Sequence, residues 1–288
     1  MPNISYKIFF TIGYIFLLSY SNAQDSDLWK EKKDSLISFF NQIKNTNIDK
    51  KRLIINNEIS DILLSLINDP QTPEIAYDSI PNLGKLISSD KRIKIFNWNL
   101  VFDDGSFKYF GIVQYFSKNR KKYQVFVLND RKKDINEPEH ATLSNETWYG
   151  ALYYQIIEKS YWGKKYYFLL GWDGFDDLRN RKIIDVFYFS GSGNPKFGAP
   201  VFYNENKQEQ RRIIFEFANR SSMALSFDIK KDLIIFDHLS PSNTSLKGLF
   251  QYYGPDGSYD ALKFKKGKWH YIIDIDARNP KPLKKPKK

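Results

Sequence analysis

Four residues on strand-patterned segments are placed to do chemistry. In Ile183-Ile184-Asp185-Val186-Phe187, two-residue alternation puts Asp185 on the face of Ile183 and Phe187. Glu216 shares a face with Ile214, Asp237 with Leu233 and Ile235, and His238 with Ile234 and Phe236. A carboxylate on an apolar face is either buried against a partner or lines a cavity with a perturbed pKa. Two of them meeting across a sheet would suit glycoside hydrolysis, with retention at ~5–5.5 Å and inversion at ~6.5–9.5 Å. The plainer alternative is structural pairing with Arg181, Arg211, Arg212 or a backbone amide. His238 is the candidate general base. His140 sits in a polar loop and His270 follows Trp269, so three dispersed histidines give no zinc set.

The densest acid cluster is Asp173-Gly174-Phe175-Asp176-Asp177. An EF-hand loop needs acids at positions 1, 3 and 5, glycine at 6 and glutamate at 12. Here the acids fall at 1, 4 and 5 and the glycine at 2, so the expectation is a turn and no metal site. Trp172 ends an apolar run just before this cluster, where a sheet would meet solvent. With Asp173 and Asp176 beside it, the ring is either a sugar-binding platform or a cover over the sheet end. The nucleotide-binding Gly-x-x-x-x-Gly-Lys, the hydrolase Gly-x-Ser-x-Gly and the zinc-protease His-Glu-x-x-His patterns are all missing from the sequence. Gly191-Ser192-Gly193-Asn194-Pro195 reads as a hairpin loop, because Pro195 prevents a helix from opening there. With no cysteine, disulfides, thiolate metal sites and cysteine nucleophiles are excluded together.

The elements that must carry these residues change character part-way along the chain. Apolar residues recur at three- and four-residue steps through Leu28, Trp29, Leu36, Phe39, Phe40 and Ile43, and again through Ile54, Ile55, Ile59, Ile62, Leu63 and Leu66. These predict two helices, and Ile75 to Leu86 is expected to add a short third one. From about Lys91 the period becomes two. Strands are predicted at 93–102, 107–116, 123–128, 148–157, 165–172, 181–189, 211–218, 223–228 and 233–238, with final hairpins through 250–253, 259–264 and 268–275. Asp104-Gly105 and Tyr161-Trp162-Gly163 mark tight turns, and Asp256-Gly257 resembles the first of them. The expected fold class is α+β, with an N-terminal helical segment packed on a large, mostly antiparallel β-meander, either a sandwich or a curled sheet. Aromatic residues reach 17%, and strand cores and cross-strand pairs account for most of them on this reading.

The ends of the chain carry their own signals. Lys7, the apolar run Ile8 to Leu18 and the small residues Ser21-Asn22-Ala23 have the pattern of a secretory signal peptide cleaved before Gln24. The run is shorter than the ~20 residues that span a bilayer. The expected product is exported, periplasmic or secreted. Of the net charge of +11, +7 lies in residues 260–288, which hold ten Lys/Arg against three acids. A nucleic-acid-binding body should instead carry a basic stripe on its folded surface, so no nucleic acid partner is expected. The Pro/Lys tail from Pro280 is either a solubilising end or a patch that touches anionic surfaces.

Several phrases occur together: Leu169-Leu170-Gly171-Trp172-Asp173-Gly174, Ile183-Ile184-Asp185-Val186, Phe197-Gly198-Ala199-Pro200-Val201-Phe202, Ile214-Phe215-Glu216-Phe217, Ile235-Phe236-Asp237-His238-Leu239 and Tyr253-Gly254-Pro255-Asp256. On these the chain resembles an uncharacterised family of exported proteins of Bacteroidetes-type Gram-negative bacteria, over roughly Lys91 to Arg278. The resemblance implies an exported location and a single β-rich unit, and carries over no catalytic residue. The expected organisation is a signal peptide at 1–23, a helical segment at 24–90, a β-rich domain at 91–278 and a basic tail at 279–288. The leading functional reading is a non-catalytic protein that binds or scaffolds an envelope component. The alternatives are an envelope hydrolase using the sheet carboxylates and a glycan-binding module. No cofactor and no transmembrane span are expected. The candidate binding residues are Trp172, Asp173, Asp176, Asp185, Glu216, Asp237 and His238.

Overall fold

The structure is a computed structural model that describes residues 28–117, 120–203 and 208–276. The segments expected to form a signal peptide and a basic tail lie outside the described residues. The chain divides between Leu83 and Gly84 into two compact units. The fold class is α+β.

In the first unit, residues 28–44 form helix α1 and Asp49–Asn68 form α2. Leu36 and Phe40 on α1, and Ile55, Ile59, Leu63 and Leu66 on α2, are buried at the helical spacing read from the sequence. The expected third helix is corrected. Glu74–Tyr77 makes one 3-10 turn, and Gly84–Ile87 is already strand β1. Pro81 and Gly84 deny this stretch a continuous helix, and Leu86 and Ile87 pair with Ile95 and Lys94 in a ladder. The β-rich unit therefore starts at residue 84, earlier than the expected 91.

No helix among the described residues is long and apolar enough to cross a membrane. The second unit holds the remaining fifteen described strands as well as β1. Its first sheet orders β1, β2 (Ile93–Val101), β3 (Phe107–Ser117) and β4 (Lys122–Asn129) as antiparallel neighbours. The predicted Asp104-Gly105 turn joins β2 to β3, with Gly105 at φ 76°. Its second sheet orders β5 (Leu143–Ser144), β9 (Pro195–Phe197), β8 (Arg179–Phe189), β7 (Lys164–Asp173) and β6 (Leu152–Tyr161), and β12 (Ile213–Ala218) adds to β8. The β6–β7 turn uses Trp162 and Gly163 at φ 47° and 74°, the doubly left-handed pair that fits the twist of a hairpin. The third sheet orders β11 (Glu209–Gln210), β10 (Phe202–Tyr203), β16 (Lys268–Ile272), β15 (Tyr253–Lys265), β14 (Leu233–Pro241) and β13 (Leu225–Asp228). Its β10–β16 pair is parallel and its other pairs are antiparallel.

The second sheet is buried on both faces. Tyr167, Leu169, Ile183 and Phe187 join a core with Ile93, Ile95, Tyr109 and Val113 of the first sheet. The intervening Phe168, Leu170, Ile184 and Val186 join another core with Ile234, Phe236, Leu262 and Trp269 of the third. This is why β7 and β8 read as nearly unbroken apolar runs. On β6, Tyr153 belongs to the first core and Ile157 to the second, although they stand four positions apart. An extra residue, Tyr154, bulges between the Tyr153–Gly171 and Gln155–Leu170 pairs and reverses the facing. Aromatic residues fill both cores, with Trp148, Tyr109 and Tyr153 fully buried in the first and Trp269, Phe168 and Phe202 in the second.

Two further expectations need correction. The strand expected at 148–157 begins at Leu152, because Trp148 to Ala151 form a buried approach containing Gly150 at φ 79°. Asp256-Gly257 does not close a hairpin. It lies inside the thirteen-residue β15, where Asp256 to Ser258 oppose His238 alone. The Asp256 carboxylate takes the Ser258 N–H and hydroxyl, and Gly257 at φ 94° absorbs the irregularity, so the strand bulges and continues.

Candidate functional site

A cleft of about 370 Å³ is bounded by β10, β12, β14, β15 and β16. Three of the sequence candidates, Glu216, Asp237 and His238, line it, together with rings that include Phe215, Phe250, Tyr253 and Tyr271. Its size falls within the ~300–1,000 Å³ typical of small-molecule sites.

Each ionisable group in the cleft is held by a partner. His238 Nδ1 lies 2.7 Å from Asp260 Oδ2, and Asp260 is buried. The same oxygen accepts the Tyr271 hydroxyl at 2.6 Å, and the other accepts the Asp274 N–H at 2.9 Å. Burial alone would raise the Asp260 pKa, but the Tyr271, His238 and Asp274 hydrogen bonds outweigh it and hold the carboxyl below its usual range. Glu216 is clamped from both sides. Its Oε2 takes Arg179 Nη1 at 2.8 Å and its Oε1 takes Arg181 Nε at 2.9 Å. Arg181 also donates to Tyr149 Oη at 2.8 Å, and its guanidinium stacks 3.2 Å from the centre of the Phe175 ring. Asp237 Oδ2 accepts the Ala224 N–H at 2.7 Å. These are the structural pairings posed as the plainer alternative, with Arg179 as an additional partner.

Asp185 is not in the cleft. It faces the opposite core and is fully buried, 2.9 Å from the equally buried Arg212. It accepts the Tyr153 hydroxyl at 2.9 Å and the Val186 N–H at 2.8 Å, while Trp148 Nε1–H donates to Tyr153 Oη at 3.0 Å. Arg212 also donates to the Pro138 carbonyl at 2.5 Å. Burial and the neighbouring Asp185 charge push the Tyr153 hydroxyl well above the usual phenol range. The strand alternation that flagged Asp185 is real, but it leads to an ion pair inside the core.

The corner around Trp172 separates into three environments. Trp172 is half-buried and meets Phe107 edge-on, with ring centres 5.3 Å apart. A side chain added at Gly174 would collide with both rings, so glycine is needed for this close approach. Asp173 is fully buried, bonded to Lys132 Nζ at 2.5 Å. It therefore offers no acceptor to a ligand beside Trp172, because the carboxylate is shut away from solvent and one of its oxygens is held by Lys132. Asp176 caps the turn as expected, accepting the Leu178 and Arg179 N–H groups at 2.9 and 2.8 Å. Its other oxygen takes Arg179 Nη2 at 2.7 Å. No group of three or more metal-ligating side chains lies among the described residues. None of Trp172, Asp173 and Asp176 lines the cleft.

Asp260 was missed in the sequence, although it alternates with Leu262 and Phe264 and carries the same signal as Asp185. The 3-10 turn Phe250–Tyr252 was read as strand, which concealed that Phe250 borders the cleft. No family model, curated protein or solved structure matches the chain.

Proposed function

We propose that the chain is an exported cell-envelope protein that binds a short neutral saccharide in the cleft beside His238 and does not transform it. The observation that carries this is the cleft's composition. Aromatic rings from five strands and a 3-10 turn surround polar groups whose positions are fixed by side-chain partners. Ring faces stack on the apolar faces of sugars, and preset acceptors and donors read hydroxyl groups with little ordering cost on binding. Glu216, neutralised by two arginines, is poorly suited to act as a proton donor or nucleophile.

One observation favours the hydrolase reading. Asp260 holds His238 through Nδ1, as an orienting carboxylate holds a general-base imidazole. Against it, no serine, threonine or cysteine lines the cleft.

The test is calorimetric titration with neutral oligosaccharides from envelope polymers, alongside chromatography of the recovered sugar. Binding that falls roughly tenfold or more in Phe250→Ala, with the melting temperature and the sugar unchanged, is expected. Cleavage of the sugar that disappears in His238→Ala would establish the hydrolase instead.

A further inference from the structure

A second cleft, of about 560 Å³, opens where the β6–β7 turn meets the ends of β3 and β8. Its lining differs from the first in the sign of its charge. Arg92, Lys164 and Lys165 line it, and no carboxylate does. Lys165 is already engaged, with Nζ 2.6 Å from Asp90 and 3.1 Å from Glu158. Arg92 and Lys164 make no ion pair among the described residues.

Arg92 is nevertheless rigid. Its guanidinium donates to Tyr115 Oη at 2.5 Å and to the Phe116 carbonyl at 3.3 Å. It lies 5.1 Å from the centre of the Tyr115 ring, which is stacked at 3.8 Å on Phe189. An arginine fixed in this way loses little freedom when an anion arrives. Lys164 is exposed at the start of β7, directly after the fixed Trp162-Gly163 turn. Tyr166 and Tyr188 supply the remaining walls and meet edge-to-face at 5.7 Å. That perpendicular pair leaves no parallel slot for a flat base, and the Tyr115 face is already covered by Phe189. The Tyr166 and Tyr188 hydroxyls remain to meet a hydroxyl-rich ligand, whereas Tyr115 is held by Arg92, Tyr167 by Asp90 and Ser190 by Ser192 and Asn194.

We infer that this cleft is a second, independent site, and that it takes an anionic sugar unit whose carboxylate or sulfate meets Arg92 and Lys164. The probes are an oligogalacturonate, a sulfated disaccharide, a neutral oligosaccharide of the same length and a nucleoside diphosphate. Each is titrated into the full chain at low and at moderate salt. One of the acidic sugars should bind, more weakly as salt rises. The Lys164→Glu variant should lose roughly tenfold or more of that affinity with its melting temperature unchanged. Phe250→Ala should bind the acidic sugar as the unaltered protein does, which separates this site from the proposed neutral-sugar cleft. The inference is overturned if neither acidic sugar binds or if the neutral sugar binds equally. It is also overturned if the nucleotide binds best or if Lys164→Glu changes nothing.

Discussion

Replacing Arg212 with methionine is the most severe test of how the β-rich unit is held together. Arg212 and Asp185 are both fully buried and face each other at 2.9 Å. Methionine keeps most of the volume but leaves the Asp185 charge inside the protein with only the Tyr153 hydroxyl and the Val186 N–H to satisfy it. Removing one partner of a buried ion pair costs about 3–5 kcal/mol. In a domain of this size each kcal/mol moves the melting temperature by about 2–4 °C, so the expected drop is roughly 6–20 °C. Urea unfolding followed by circular dichroism gives the free energy directly. The cycle is completed with Asp185→Leu and the double variant Arg212→Met/Asp185→Leu. The double variant removes both charges, so it should be more stable than the two single costs added together, by at least about 2 kcal/mol. Its recovery stays partial, because the Tyr153 hydroxyl and the Pro138 carbonyl each lose a partner. If Arg212→Met costs under about 1 kcal/mol, or if the two single costs simply add, the pair does not have the role assigned to it.

Three smaller perturbations follow from the same geometry. Gly150→Ala should destabilise well beyond Gly163→Ala, as urea midpoints would show. Both positions have positive φ, costing about 1–2 kcal/mol for alanine, but at Gly150 the new carbon would fall 2.4 Å from the Asp130 carboxylate while Gly163 faces open space. Trp172→Ala should cost about 2 kcal/mol, less than a fully buried tryptophan, and leave affinity at the His238 cleft unchanged by calorimetry. Acid stability should reflect Asp90. Despite partial burial, which raises its pKa, hydrogen bonds from Lys165, Ser88 and Arg92 bring it from 3.8 down to about 2. A depressed carboxylate contributes stability that is full above the unfolded value and fades as pH falls through the folded one. A melting series from pH 5 to pH 2 should therefore decline between about pH 4 and pH 2, with a shallower decline in Asp90→Asn.

The parts of this molecule that could be read from the sequence are those governed by local period and local turns. The helical stripe of Ile55, Ile59 and Leu63, the Asp104-Gly105 turn and the Trp162-Gly163 turn depend on neighbours a few residues away. The candidate carboxylates were found in the same way, because Asp185 and Glu216 break an apolar alternation. What they would meet was harder to read. Arg212 lies 27 positions from Asp185, and Lys132 lies 41 from Asp173. Only the stacking of three sheets decides which of them touch. The cleft was hidden for another reason. It is bordered by Phe250, in a 3-10 turn where the local pattern equally allows a strand, and by strands that only the folded sheets bring together.

The doubly buried middle sheet bears on how its strands find their alignment. A strand with one apolar face cannot slide by a single residue without turning that face to water. Leu169-Leu170 and Ile183-Ile184 carry no such safeguard, since a one-step slide would exchange one oily surface for another. Asp185 supplies the missing distinction. In the correct alignment its carboxylate reaches Arg212 and Tyr153, whereas one step away it would enter the layer of Phe236, Leu262 and Trp269 and lose both partners. The charge in the interior thus acts as a keyed notch between otherwise interchangeable positions, and its removal should loosen the choice of pairing even where it spares overall stability.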